Sequence, residues 1–77
     1  MFNTRNKVKN RLREARFDLR MSQPFLWLKS GVHFSTISRI ENGFVQPSAE
    51  QKRRLSKALD VDMDWLFPNE VKANDED

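Results

Sequence analysis

The sequence predicts an all-α fold: one compact domain of five short helices. Three observations carry that reading. Only two glycines occur, Gly31 and Gly43, and both fall where a helical pattern stops. The prolines Pro24, Pro47 and Pro68 mark other helix boundaries. No run of Val, Ile or Thr alternates with polar residues over the length of a strand.

The first helix is expected over about residues 5–19. At about 100° per residue, Val8, Leu12, Ala15 and Leu19 share one face, and Arg5, Lys9, Arg13, Arg16 and Arg20 line the adjoining one. Stacked like charges cost about 0.2–0.5 kcal/mol per i,i+4 pair, so this stripe either faces an anion or is an ordinary solvated face. Arg16 lies nearest the apolar stripe and is the member expected to turn inward to a carboxylate.

The second helix starts at Ser22, an N-cap residue, tolerates Pro24 in its first turn and ends at Ser30-Gly31. The third runs from about Phe34 to Asn42 and is closed by Gly43. The fourth opens on Ser48-Ala49-Glu50-Gln51, a capping box, and carries Leu55, Ala58 and Leu59 at helical spacing. The fifth is a short turn capped by Asp62 that presents Met63, Trp65, Leu66 and Phe67 before Pro68. Residues 1–68 thus form the predicted domain, and residues 69–77 an acidic, flexible C-terminal tail.

Length and charge narrow the function. A chain of 77 residues has room for one core and no enzyme-sized interior pocket. It has no cysteine and one histidine, no Gly-rich phosphate loop and no convergent carboxylates, so no enzyme, metal site, cofactor or small-molecule ligand is expected. No uncharged stretch approaches bilayer length and no signal-peptide pattern opens the chain, so the expected setting is the cytoplasm, with no membrane partner. Residues 1–20 hold seven Lys/Arg against two acids and residues 21–59 six against two, whereas residues 60–77 hold one against seven. A basic body with an acidic tail suits a polyanion as partner.

Gln23, Gly31 and Ile37 have the spacing of a DNA-binding helix-turn-helix. Arg13-x-x-Arg16, Ser22-Gln23, Ser30-Gly31-Val32 and the unbroken run Thr36-Ile37-Ser38-Arg39-Ile40-Glu41-Asn42-Gly43 resemble the lambda repressor/Cro-like (XRE-type) helix-turn-helix family. The likeness continues through Pro47-Ser48, Lys57-Ala58-Leu59-x-Val61 and Asp64-Trp65-Leu66 and covers about residues 8–67. It implies a lambda-repressor-like domain whose second and third helices form the motif and whose third helix enters the major groove of double-stranded DNA.

The physical reading of the third helix agrees. Ile37 and Ile40 point to one side, flanked by Glu41 and Phe34, while Ser35, Arg39 and Asn42 point the opposite way with Thr36 and Ser38 at the margins. Ser35, Thr36, Ser38 and Arg39 are therefore base-reading candidates, and the resemblance implies Phe34 as another, since it stands at a base-facing position of the family. Arginine is the side chain best shaped to grip guanine O6 and N7 with two hydrogen bonds, worth about 1–3 kcal/mol of discrimination. Glu41 would be repelled by phosphates, and helix geometry turns it coreward, where a cation is needed. The resemblance implies the arginine at Arg16, so a structural Arg16–Glu41 pair is expected. It further implies phosphate contacts from Ser22, Gln23, Asn42, Gln46 and the Gly43–Gln46 backbone, with Arg13 as a cation and His33 as another candidate.

Several residues depart from the pattern. Trp27 stands where the family usually has alanine, so either the crossing of helices two and three opens or the indole rotates outward over Phe34. His33 stands where Ser or Thr normally caps helix three, and either touches a phosphate or leaves the helix uncapped. Arg20 replaces a common glycine, which strains a left-handed turn. Phe34 either meets a thymine methyl or packs on Trp27. Lys52, with Arg53, Arg54 and Lys57, forms either a second basic patch or a solvated face.

These readings converge on a sequence-specific DNA-binding transcriptional regulator of prokaryotic or phage type, a repressor rather than an activator. A homodimer through helix 5 and the preceding loop is the expected route to two half-sites, and nucleoid association the expected state when bound. The alternative is a helix-turn-helix protein-interaction module such as an antitoxin or antirepressor component; Trp65, Phe67, Phe44 and Phe2 are the candidate apolar patch for either a self-dimer or another protein, with ordinary core the favoured reading of Trp65 and Leu66. A basic module for RNA or anionic membrane ranks third.

Overall fold

A computed structural model describes residues 10–68. Five helices follow in order: α1 Leu12–Asp18, α2 Gln23–Ser30, α3 Phe34–Glu41, α4 Ala49–Leu59 and α5 Met63–Leu66, with no strand among the described residues. Helix α2 packs against α3 and α4, α1 lies on α3, and α5 closes on α4. Between them lies one core of Leu12, Ala15, Met21, Leu26, Val32, Ile37, Ile40, Leu55, Leu59, Leu66 and Phe67.

The caps explain the boundaries. Ser22 Oγ accepts from Phe25 N at the start of α2, and Ser48 and Gln51 form the expected reciprocal capping box on α4. Asp62 caps α5 through Asp64 N and Trp65 N. Gly31 ends α2 at φ 81°, a conformation that glycine alone adopts without strain. Gly43, at φ 79°, plays the same part beyond α3.

Helix α1 differs from expectation at both ends. It begins at Leu12 rather than near residue 5, and residues 5–9 of the expected helix lie outside the described residues. The cause is tertiary: Arg11 N–H donates to Leu66 O at 2.9 Å, and its guanidinium donates to Trp65 O at 2.7 Å. These bonds tie the entry of α1 to α5, while Asn10 Oδ1 accepts from Leu12 N and starts the helix. At the other end α1 stops at Asp18, so Leu19 leaves the apolar stripe and stands 52% exposed. Arg20 follows in the left-handed region at φ 54°, the strain its replacement of glycine implied. The basic stripe accordingly breaks up. Arg16 is buried, Arg20 lies past the helix, and Arg13 is its one solvent-facing member within α1.

Helix α5 is chiefly core. Leu66 and Phe67 are buried and Trp65 packs at the core's edge under the Arg11 guanidinium, 5.1 Å from its ring centroid. Phe67 is therefore withdrawn from the apolar surface expected for a protein partner, and Phe2 lies outside the described residues.

Candidate nucleic-acid interface

Helix α3 buries Ile37 and Ile40 completely and leaves the opposite face open. Ser35 and Arg39 are exposed, with Thr36 and Ser38 half-buried at the margins. No hydrogen bond or ion pair among the described residues engages the Arg39 guanidinium. The face is shallow and polar, with one long cation, so the α3 backbone can approach a groove closely.

Glu41 holds this helix in place. Its side chain is 0% exposed, against 10% for Arg16. Arg16 Nε donates to Glu41 Oε2 at 2.6 Å, and Arg16 Nη2 donates to Oε1 at 3.0 Å. The third Arg16 donor used, Nη1, bonds Met21 O at 2.9 Å, so the guanidinium joins α3, α1 and the α1–α2 turn. Gln23 Nε2 donates to Glu41 Oε1 at 3.1 Å, adding the start of α2. Burial pushes the Glu41 carboxyl up, but the hydrogen bonds from Arg16 and Gln23, the Arg16 charge and the Arg13 contact together outweigh it and hold the group below the usual carboxylate range. Breaking a buried pair of this kind costs about 3–5 kcal/mol, because one charge is left without a partner.

Around this pair the structure gathers residues expected at phosphates. Arg13, with its side chain 51% exposed, donates from Nη2 to Asn42 Oδ1 at 2.8 Å and approaches Glu41 Oε1 at 3.4 Å. Asn42 in turn donates to Ser38 O at 2.9 Å. Ser22 is exposed at the N-cap of α2, and the Gln23 N–H precedes the first intrahelical bond and points out of the helix end. Gln46 is exposed in the α3–α4 loop, apart from the Glu41 group. Part of the expected loop contribution is already committed. Gly43 N–H donates to Ile40 O and Phe44 N–H to Arg39 O, closing α3 rather than facing outward. The Lys52–Lys57 patch is partly neutralised, since Arg53 and Arg54 both pair with Glu50.

Trp27 resolves its conflict by turning outward. Its indole sits 5.4 Å from the Phe34 ring and 4.4 Å from His33, and His33 stacks on Phe34 at 4.6 Å with 25° between planes. The crossing of α2 and α3 keeps Leu26 and Ile37 fully buried beneath. His33 does cap α3: its Nδ1 accepts from Ser35 N at 3.1 Å and lies 2.9 Å from Ser35 Oγ. An imidazole thus does the work of the usual hydroxyl, and in the neutral ring the remaining proton must sit on Nε2, a donor.

Two structural residues were not read from the sequence. Asn10 donates to Ile40 O at 2.9 Å while starting α1, and Arg11 clamps α5. An asparagine just ahead of an apolar stripe was the available signal for the first. Nothing local signals the second.

The model of the family described as helix-turn-helix matches residues 12–66. Among solved structures, the restriction-modification controller protein C.AhdI from Aeromonas hydrophila is 35% identical, with a TM-score of 0.70 over 74% of this chain and 86% of that one. The P22 c2 repressor in complex with synthetic operator 9T is 33% identical, with a TM-score of 0.72 over 78% of this chain and 91% of that one. The DNA-binding domain of the P22 c2 repressor in solution is 31% identical, with a TM-score of 0.70 over 84% of this chain and 86% of that one. No curated protein matches. With the motif, the five-helix order and the Arg16–Glu41 anchor in place, the chain belongs to the lambda repressor/Cro-like (XRE-type) helix-turn-helix family.

Proposed function

We propose that this protein is a sequence-specific double-stranded DNA-binding transcriptional regulator, acting as a repressor, with α3 seated in the major groove. The observation that carries the reading is the open Ser35–Arg39 face of a helix locked from behind by Glu41. A related structure is of a repressor held on a synthetic operator, which supports DNA as the ligand. Phe34, Ser35, Thr36, Ser38 and Arg39 read base edges. Arg13, Ser22, Gln23, His33, Asn42 and Gln46 set the register on phosphates. Gln23 contributes through its backbone N–H, since its side chain is engaged by Glu41. The protein works in the cytoplasm, on the nucleoid.

Useful specificity calls for two half-sites and hence a dimer. Leu66 and Phe67 face the core, so contacts in the helix 5 region fall to Met63, the half-exposed edge of Trp65 and the loop at Asp60–Asp62. The competing reading, a protein-interaction module such as an antitoxin component, draws on Leu28, 77% exposed on α2.

Selection of bound duplexes from a random library, followed by titration of variants, tests the proposal. Arg39→Ala should cost about 1–3 kcal/mol on the selected duplex and relax preference at one position. Arg13→Ala should weaken all duplexes alike and reduce the salt slope by about 1. Absence of any preferred duplex from the selection would leave the protein-interaction reading standing.

A further inference from the structure

We propose that residues 69–77 compete with DNA: in the free protein this acidic segment lies against Arg13 and Arg39, and a duplex must displace it to bind. This rests on the DNA-binding reading above and adds the regulation of the same face. Charge is divided along the chain. Residues 10–59 hold ten Lys/Arg against four Asp/Glu, whereas residues 69–77 hold Glu70, Asp75, Glu76 and Asp77 against Lys72. The fold fixes where the acidic segment starts. Leu66 and Phe67 are buried, and Leu66 O accepts the Arg11 N–H at 2.9 Å, so Pro68 leaves the core beside the first turn of α1. Asn10 donates to Ile40 O at 2.9 Å, which brings the end of α3 to the same corner. Arg13 follows closely after Arg11 and Arg39 directly precedes Ile40, and both are exposed. Nine residues reach at most about 30 Å, and α3 is about 12 Å long, so the segment can cover the open face from end to end.

The neighbouring charges decide which cations it meets. Among the described residues no carboxylate pairs with Arg39, and Arg13 makes only a 3.4 Å approach to Glu41, whose charge Arg16 already holds. Arg53 and Arg54, the alternative on α4, are both taken by Glu50. Glu14 and Asp18 line a shallow groove with Arg13 along α1, and they turn an acidic segment away from that side and towards α3. A tethered segment is present at an effective concentration in the millimolar range, so ion pairs too weak to hold a free peptide suffice here. Every duplex has to displace the same segment, so the contact lowers all affinities alike. It strips DNA that is held weakly while the selected duplex stays bound.

The test uses the full chain and its E70Q/D75N/E76Q/D77N variant, which keeps the segment's length and lies wholly beyond the last core residue, Phe67. In the two proteins without DNA at low salt, the Arg13 and Arg39 Nε–H resonances should differ, and the difference should fade as salt screens the contact. A scrambled duplex should bind the variant about fivefold more tightly, the combined value of two exposed ion pairs, and the selected duplex should gain by the same factor. Unchanged arginine resonances overturn the proposal even if affinity rises, since a rise alone is repulsion of DNA by the segment's charge; the DNA-binding reading then stands. Shifts confined to Arg5, Lys7 and Lys9, or to α4, overturn it likewise, as do equal duplex affinities for the two proteins. Shifted Arg13 and Arg39 resonances in proteins that bind no duplex overturn the DNA-binding reading, and the competition with it.

Discussion

A carboxylate with no exposed surface has to be neutralised where it stands, and Glu41 is neutralised by Arg16 from one helix and steadied by Gln23 from another. Glu41→Gln leaves the Arg16 guanidinium buried against a neutral amide, and urea unfolding should show a loss of about 3–5 kcal/mol. The pH dependence follows from the lowered pKa of Glu41. Its contribution is complete above about 4.3, the ordinary value for glutamate, and is lost as the pH falls through the depressed native value. The wild type should lose stability across that acid range, and Glu41→Gln should show a flatter limb there. A second residue carries avoidable strain. Arg20 sits at φ 54° and is exposed, so Arg20→Gly should stabilise the fold by about 0.5–1 kcal/mol, the relief of the left-handed turn exceeding glycine's added chain entropy. A melting temperature that stays level or falls would contradict this.

At the scale of the element, α3 depends on an unusual cap. His33→Ala removes the acceptor for Ser35 N and should cost about 1 kcal/mol, whereas His33→Ser should hold the helix and lose only the stacking on Phe34. Thermal melts of the two variants separate capping from stacking. The elements also show where local sequence suffices. Helices α2, α3, α4 and α5 were legible because their signals are local: Ser22, Ser48 and Asp62 at the starts, Gly31 and Gly43 past the ends. The start of α1 was not, because Leu66 O, 55 residues along the chain, draws the Arg11 N–H out of helical register. The Arg16–Glu41 pair was legible because a wheel of α1 and a wheel of α3 each turned one charge inward and the family resemblance paired the two positions. The network of Arg13 with Asn42 and of Gln23 with Glu41 was not, since a wheel gives direction but no reach. Outward rotation of Trp27 was one of two outcomes that its volume, set against the family's usual alanine, left open, while the capping role of His33 needed its ring orientation.

For the molecule as a whole, the core and the reading face are two sides of one short helix, so binding and stability are linked. A ligand that engages α3 in the folded state raises the unfolding midpoint by mass action. The selected duplex should therefore protect the wild type against heat at low salt, with the protection fading as salt rises. Leu28, exposed on α2, is not among the proposed DNA contacts. The tie from Arg13 to Asn42, and from Gln23 to the carboxylate beneath, has a consequence for DNA whose shape varies. On the proposed interface, Arg13 and Gln23, which would touch the sugar–phosphate strand, are fastened to the same rod that would probe the bases, so the gauge between them would be fixed. A duplex whose groove is a little too wide or too narrow cannot be met by sliding one contact against another. Base pairs that no side chain reaches would then still alter affinity, through the cost of bending the duplex to fit the gauge.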